Sequence, residues 1–328
     1  MKWDSAKILR AFGPFGAFAL VWACFGVLES WLQGTPFVKA AIFSGEAVVN
    51  IIQNTAVVGV AAIGMTLIIV AAGIDLSVGS AISFCSVVAA KVIAAGGAPH
   101  FVIMAALGTG LACGLLNGLL IVFARLIPFI TTLGTLLVLR GLSLGLADSQ
   151  PINVQEAAWL RWWLLPPASG FALLPPGGWL MLSLAALTVL VLHYTVFGRH
   201  VFAVGSNEST ARLCGVAVDR VKLEVYAIAG VLSGAAGLML CSFQGQGDPT
   251  GAEGYELDVI AAVVIGGASL SGGVGSVFGS MIGALIMTVI RTGCTLNGVS
   301  LGATKVVTGT IIVAAVLADR IRQRSARS

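Results

Sequence analysis

Residues 198–224 read GRHVFAVGSNESTARLCGVAVDRVKLE. The stretch lies between two long apolar runs. It carries Arg199, His200, Glu208, Arg212, Asp219, Arg220, Lys222 and Glu224, in a chain of which only 10% is charged. Its middle predicts a very short helix: Ser206 or Asn207 can cap the N-terminus, Ala211 and Leu213 fall within it, and Gly215 suits the position just past the end. Glu208, Ala211 and Gly215 stand at i, i+3 and i+7 and so share one small, nearly flat face. Such a face suits docking by another element; an ordinary solvated loop is the alternative reading.

Outward from this polar island the chain is apolar. Mean hydropathy is +1.00, and 58% of the residues are hydrophobic, far above a soluble domain. A bilayer core about 30 Å thick needs roughly 20 apolar residues per helix. Read this way, the 328 residues form one all-α polytopic membrane domain, 1–328, set in a lipid bilayer. Spans are predicted near 11–32, 46–72, 78–95, 101–124, 127–147, 179–197, 225–243, 255–268, 277–292 and 303–317, about ten in all. Trp31 is a fitting interface anchor for the first.

Charge sets the orientation. With both termini in the cytoplasm, the inner segments hold Lys2, Lys7, Arg10, Arg125, Arg199, Arg212, Arg220, Lys222, Arg320, Arg322, Arg324 and Arg327, and the outer loops hold Lys39 and Arg161. The island 198–224 is then cytoplasmic. Residues 148–178 become an outer, periplasmic loop, rich in proline and carrying Trp159, Trp162 and Trp163, which predicts a short interfacial helix. The net charge of +4 is a topology signal, and no nucleic-acid partner is implied.

Five spans precede that loop and five follow, so a second half would enter the membrane inverted, in a 5+5 inverted repeat. LSVGS at 76–80 echoes LSGGVGS at 270–276, but these lie between spans of the same direction and do not support the repeat. Glycines near 73–80 and 266–276 (Gly73, Gly79, Gly266, Gly267, Gly272, Gly273) predict broken helices, which a membrane tolerates only where protein or a water-filled cavity satisfies the backbone. The ladders Gly110, Gly114, Gly118 and Gly275, Gly279, Gly283 predict close helix packing.

Catalytic signals in the pattern are weak. His100, His193 and His200 are isolated, and the six cysteines show no metal spacing and read as small core residues. No phosphate-binding GxxxxGK[ST] loop occurs. The chain reads as a non-enzyme that needs no metal and no cofactor. Asp75, Lys91, Arg140, Glu256, Asp258, Arg291 and Lys305 fall near span ends, where a structural role fits. Gln53, Asn54, Asn117, Thr131 and Thr132 are neutral and deeper. They suit a path for a neutral polyhydroxy solute, or hydrogen bonds between helices.

GMTLIIVAAGIDLSVGS (64–80), GLLNGLLIVFARLIPFITTLGTLLVLRGL (114–142), FAVGSNESTARLCGVAVDRVK (202–222) and GYELDVIAAVVIGGASLSGGVGS (254–276) follow one another in an order that resembles the permease subunits of bacterial ABC sugar importers. The resemblance covers roughly residues 46–320. It implies a monosaccharide permease of the inner membrane that pairs with a second copy, sits on cytoplasmic ATP-binding subunits, and receives sugar from a periplasmic binding protein. Glu208, Ala211, Arg212 and Gly215 match the family's ATPase-coupling helix. The Trp- and Pro-rich outer loop and Arg291 depart from the family pattern. An ion-coupled transporter acting alone is the alternative, with Asp75, Glu256 and Asp258 as its candidate carboxylates.

Overall fold

Apolar runs fold here as helices, and capping residues set where several begin. The structure is a computed structural model that describes residues 5–34, 36–155, 157–161 and 174–325. Helix α1 (Ser5–Gln33) leads into two 3-10 turns. Buried Glu29 holds these turns by accepting the N–H groups of Ala41 and Ile42. Helix α2 (Gly45–Val70) starts at Ser44, whose side chain accepts from the Ala47 N–H, satisfying one orphan donor of the first turn. Helices α3 (Val78–Ala94), α4 (Pro99–Val122) and α5 (Pro128–Leu146) follow. Proline opens α4 and α5 at the position where its missing N–H costs nothing.

Beyond α5, the two-residue strand β1 (Ile152–Asn153) and helix α6 (Ala158–Arg161) form the described part of the predicted outer loop. Then come α7 (Pro176–Tyr194), α8 (Val196–Ser206), α9 (Glu208–Leu213) and α10 (Val218–Gln244). Strand β2 (Gln246–Gly247), α11 (Tyr255–Ile265), α12 (Val277–Leu296) and α13 (Leu301–Ser325) complete the chain.

Each predicted span falls on a helix. Among the described residues, seven helices are long and apolar enough to cross a membrane: α1, α2, α4, α5, α7, α10 and α12. Helices α3 and α11 are shorter, at 17 and 11 residues, and the apolar part of α13 is Leu301–Leu317. The breaks come where glycine predicted them. Helix α2 stops at Val70 and α3 starts at Val78; α11 stops at Ile265 and α12 starts at Val277.

The all-α class holds, with one addition: the two-residue strands β1 and β2 pair antiparallel and so tie the segment after α5 to the segment after α10. One reading needs correction. The first part of the polar island is a full helix, α8, rather than loop. Arg199 and His200 concentrate the polarity at one point, while Val201 and Val204 bury an apolar side. The short helix predicted in the outer loop is present as α6, whose Leu160 carbonyl accepts from the Ser242 hydroxyl at 2.6 Å. Trp162, Trp163, Pro166 and Pro167 lie outside the described residues. All six cysteines are free.

Helices α2, α10 and α12 form the buried centre, with α4, α7 and α11 packed round them. Glycine permits the closest approaches. A Cβ on Gly110 or Gly114 would fall on the α10 backbone at Gly230 or Tyr226, and one on Gly230 would fall on Gly110 in return. Likewise Gly279 and Gly283 press against the carbonyls of Gly266 and Ala262 in and just beyond α11. With little hydrophobic drive between helices in lipid, such backbone contact carries much of the association. Hydroxyl pairs join α2 to α12: Thr55 with Thr288 at 2.6 Å and Thr66 with Ser280 at 2.8 Å.

Candidate functional site

Helix α8 starts at Thr195, which accepts from the Gly198 N–H at 3.2 Å. The backbone turns extended at Asn207, whose side chain accepts from the Thr210 N–H at 2.9 Å and opens α9. At the other end Gly215 takes φ +82°. Its N–H reaches the Arg212 carbonyl, and the Val216 N–H reaches that of Ala211. This left-handed closure suits glycine because a side chain there would be strained.

Charges then pin α9 to the start of α10. Lys222 meets Glu208 at 2.7 Å, Glu208 meets Arg212 at 3.5 Å, and Arg212 meets Asp219 at 2.7 Å. The Asp219 carboxylate raises the Arg212 guanidinium above its already high range, so the network keeps its positive end at any physiological pH. Exposed pairs of this kind contribute little stability one by one. As a linked set they fix the orientation of α9.

The face that the spacing predicted is turned round. Ala211 is 5% exposed and packs into the core, while Glu208 and Arg212 face outward. Gly215 lies past the helix end with open space beyond it. Such a short helix lies flat on the body, and its smallest residue allows that close approach. The large apolar side chain left to solvent is instead Leu213, 89% exposed, next to exposed Cys214. Leu213 was missed because one leucine in a polar run carries no periodic signal. Its place two residues after buried Ala211, about 200° round the helix, could have found it.

Behind the turn, three backbones meet. The Val70 carbonyl accepts from the Gly273 N–H at 2.9 Å. A Cβ on Gly205 of α8 would fall on that same carbonyl. Gly272 lies against Ala72 and Gly205, and Gly273 against Ser206. Both helix breaks are therefore in direct contact with the end of α8, immediately before the polar turn.

The first break is itself clamped. Asp75 accepts from the Ser77 N–H at 2.8 Å and from its hydroxyl at 2.6 Å. Asn117 of α4 donates to the Ser77 hydroxyl at 2.8 Å, and Thr135 of α5 donates to Asn117 at 2.7 Å. The Ile74 carbonyl accepts from Thr132 and from Tyr226, each at 3.3 Å. Asn117 and Thr132 are thus buried and hydrogen-bonded round the break, and Thr131 bonds the Ile127 carbonyl at 3.0 Å. Gln53 and Asn54 stand elsewhere, in the first half of α2. The five predicted path residues do not form one site.

Asn54 lines a cavity of about 520 Å³ between α2 and α12. On its wall, Arg291 meets Asp258 at 3.2 Å and lies over the Tyr255 ring at 4.8 Å. Elsewhere Arg140 donates to the Pro249 carbonyl at 2.9 Å, and Glu256 lies against Gly79. No group of three or more His, Cys, Asp or Glu residues that could hold a metal occurs among the described residues.

Seven helices long and apolar enough to cross a membrane, with breaks at both glycine clusters, mark a polytopic membrane protein. Residues 47–316 match the family described as "Branched-chain amino acid transport system / permease component", and the chain belongs to that family. It is 40% identical over 281 residues to the ribose import permease protein of Bacillus subtilis, covering 83% of this chain and 84% of that one. It is 38% identical over 290 residues to a probable ABC transporter permease protein of Escherichia coli, covering 85% and 83%. With the L-arabinose transport system permease protein of Escherichia coli it shares 34% over 270 residues, covering 82% and 81%. No solved structure matches the chain.

Proposed function

We propose that the chain is the membrane-spanning, non-catalytic subunit of an ATP-driven importer of a neutral monosaccharide. Two copies form the channel in the inner membrane. Cytoplasmic ATP-binding subunits dock on the turn 207–216, and a periplasmic binding protein delivers the sugar. The observation that carries this reading is the family match over residues 47–316, with relatives named as ribose and arabinose permeases. In the coupling role Leu213 enters a cleft of the ATPase, Glu208 and Arg212 flank it, Gly215 closes the turn and Ala211 anchors it to the body.

Both termini lie in the cytoplasm and ten helices cross the bilayer, α3, α11 and α13 included. The five spans α1–α5 and the five spans α7 and α10–α13 form the 5+5 inverted repeat. Two observations support it. Helices α3 and α4 pack on α10 as α11 and α12 pack on α2. The turn before α11 also repeats the turn before α3: Asp248 accepts from the Thr250 N–H and hydroxyl, each at 2.8 Å, as Asp75 does from Ser77. The ion-coupled alternative is weakened because Asp258 is paired with Arg291 and Asp75 is hydrogen-bonded within its turn.

Co-purification tests the coupling role. The wild-type chain, extracted in mild detergent, is expected to retain its ATPase in stoichiometric amount. Burying a leucine contributes about 1.5–3 kcal/mol, so Leu213→Asp is expected to weaken that association about tenfold or more. Gly215→Trp, which strains the left-handed turn, is expected to leave insertion intact and abolish coupled uptake. Normal retention and uptake with both variants would remove the turn from the coupling role.

A further inference from the structure

The cavity between α2 and α12 has a composition that helix packing does not explain. Glu46, Asn50 and Asn54 stand at i, i+4 and i+8 on α2, and so present one polar face in an apolar chain. Facing them are Arg291, Thr292 and Thr295 of α12. The Thr55–Thr288 hydroxyl pair lies next to Asn54 in sequence, where α2 and α12 come together, and Thr288 also lines the cavity. Glu46, Asn50 and Thr295 are exposed at its mouth near the helix ends, whereas Asn54 is half-buried and Thr288 buried further in, so the polar face leads inward between the helices. Polar groups so placed mark solute pathways.

The groups are also pre-oriented. Asn54 donates to the Asn50 side chain at 2.6 Å and to its carbonyl at 3.0 Å. Arg291 is held by the Asp258 carboxylate and stacked on Tyr255, so its guanidinium is fixed and its charge locally balanced. An anion gains little from a cation already paired, whereas a guanidinium carries five N–H donors, more than Asp258 and Tyr255 take up, and can still donate to a hydroxyl. Phe243 supplies an apolar wall, suited to the C–H face of a sugar ring. The volume of about 520 Å³ falls in the range of small-molecule sites, roughly 300–1,000 Å³.

We propose that this cavity is a solute station of the permease. In it a neutral monosaccharide is hydrogen-bonded by Asn50, Asn54 and Arg291 and lies against Phe243. The assignment rests on the sugar-importer reading and goes beyond it by placing the solute away from the buried Asn117–Thr132 cluster.

The test is ATP-driven uptake of D-ribose, L-arabinose and D-fructose by the chain assembled with its ATPase and binding protein. Asn54→Trp fills the cavity, and Asn54→Ala removes one hydrogen-bonding group. In complexes that assemble in wild-type amount, Asn54→Trp is expected to reduce uptake at least about tenfold, and Asn54→Ala by about five- to tenfold, a single hydrogen bond's worth. A second readout does not depend on transport. With Cys24 and Cys214 changed to serine, Asn54→Cys is expected to react with a small impermeant thiol reagent and to be protected by the transported sugar but not by sulfate. Wild-type uptake by an assembled Asn54→Trp complex, or an Asn54→Cys that no sugar protects, would overturn the assignment. A wild-type complex that imports none of the three sugars would instead overturn the sugar-importer reading.

Discussion

Gly205→Ala is expected to abolish coupled transport and to lower the folded yield sharply. The added Cβ falls on the Val70 carbonyl oxygen, with the Gly273 amide 2.7 Å away. All three neighbours are backbone, so no rotamer change relieves the overlap. Forced overpacking in a tight interior costs typically about 1–3 kcal/mol, more where nothing can shift. Here the displaced atoms are also the acceptor and donor of the Gly273–Val70 hydrogen bond. The effect is read as the thermal midpoint of the purified chain, with ATP-driven uptake measured on whatever folds. A variant with wild-type stability and uptake would mean that the breaks and the polar turn move independently.

Gly114→Leu is expected to prevent accumulation of folded protein, while Gly108→Leu on the same helix is tolerated. A Cβ at Gly114 falls on the Tyr226 carbonyl and within 2.9 Å of the Gly230 Cα, whereas one at Gly108 meets nothing within 4 Å. The leucine at 114 must push α4 off α10. That separation also pulls on Asn117, and through it on the Ser77 turn. Size-exclusion profiles of the two variants in detergent, compared with wild type, give the measurement. A monodisperse Gly114→Leu peak at wild-type yield would show that the α4–α10 contact is dispensable.

Much of this architecture is legible in the chain before any coordinates. The span positions follow from apolar run length, the helix breaks from clustered glycines, and the Asn207 cap from a residue type that favours that position. The glycine ladders announced close packing, and the backbone carbonyls they meet belong to α10 and α11. What was illegible depends on distant partners. Nothing near Gly205 shows that Val70 and Gly273 arrive beside it. Nothing near Arg291 shows that Asp258 pairs with it and that it lies over Tyr255.

Periodicity also misled where a helix is very short. Spacing placed Glu208, Ala211 and Gly215 on one face, but it cannot say which face the body covers. The covered side took the alanine and left Leu213 to solvent. The neutral polar residues divided for a similar reason. Thr132 satisfies the Ile74 carbonyl and Asn117 holds the Ser77 side chain, demands that exist only once α3 has turned away from α2. Asn54 faces a cavity because α12 passes it with Arg291 and Thr292.

The most direct test is uptake of D-ribose and L-arabinose into sealed vesicles carrying the chain with its ATPase and binding protein. The proposed function predicts uptake that requires ATP and the binding protein, persists when an ionophore collapses the ion gradients, and is lost with Leu213→Asp. Uptake that continues without ATP and stops with the ionophore would contradict it, and would return attention to Glu256 as the carboxylate of an ion-coupled transporter.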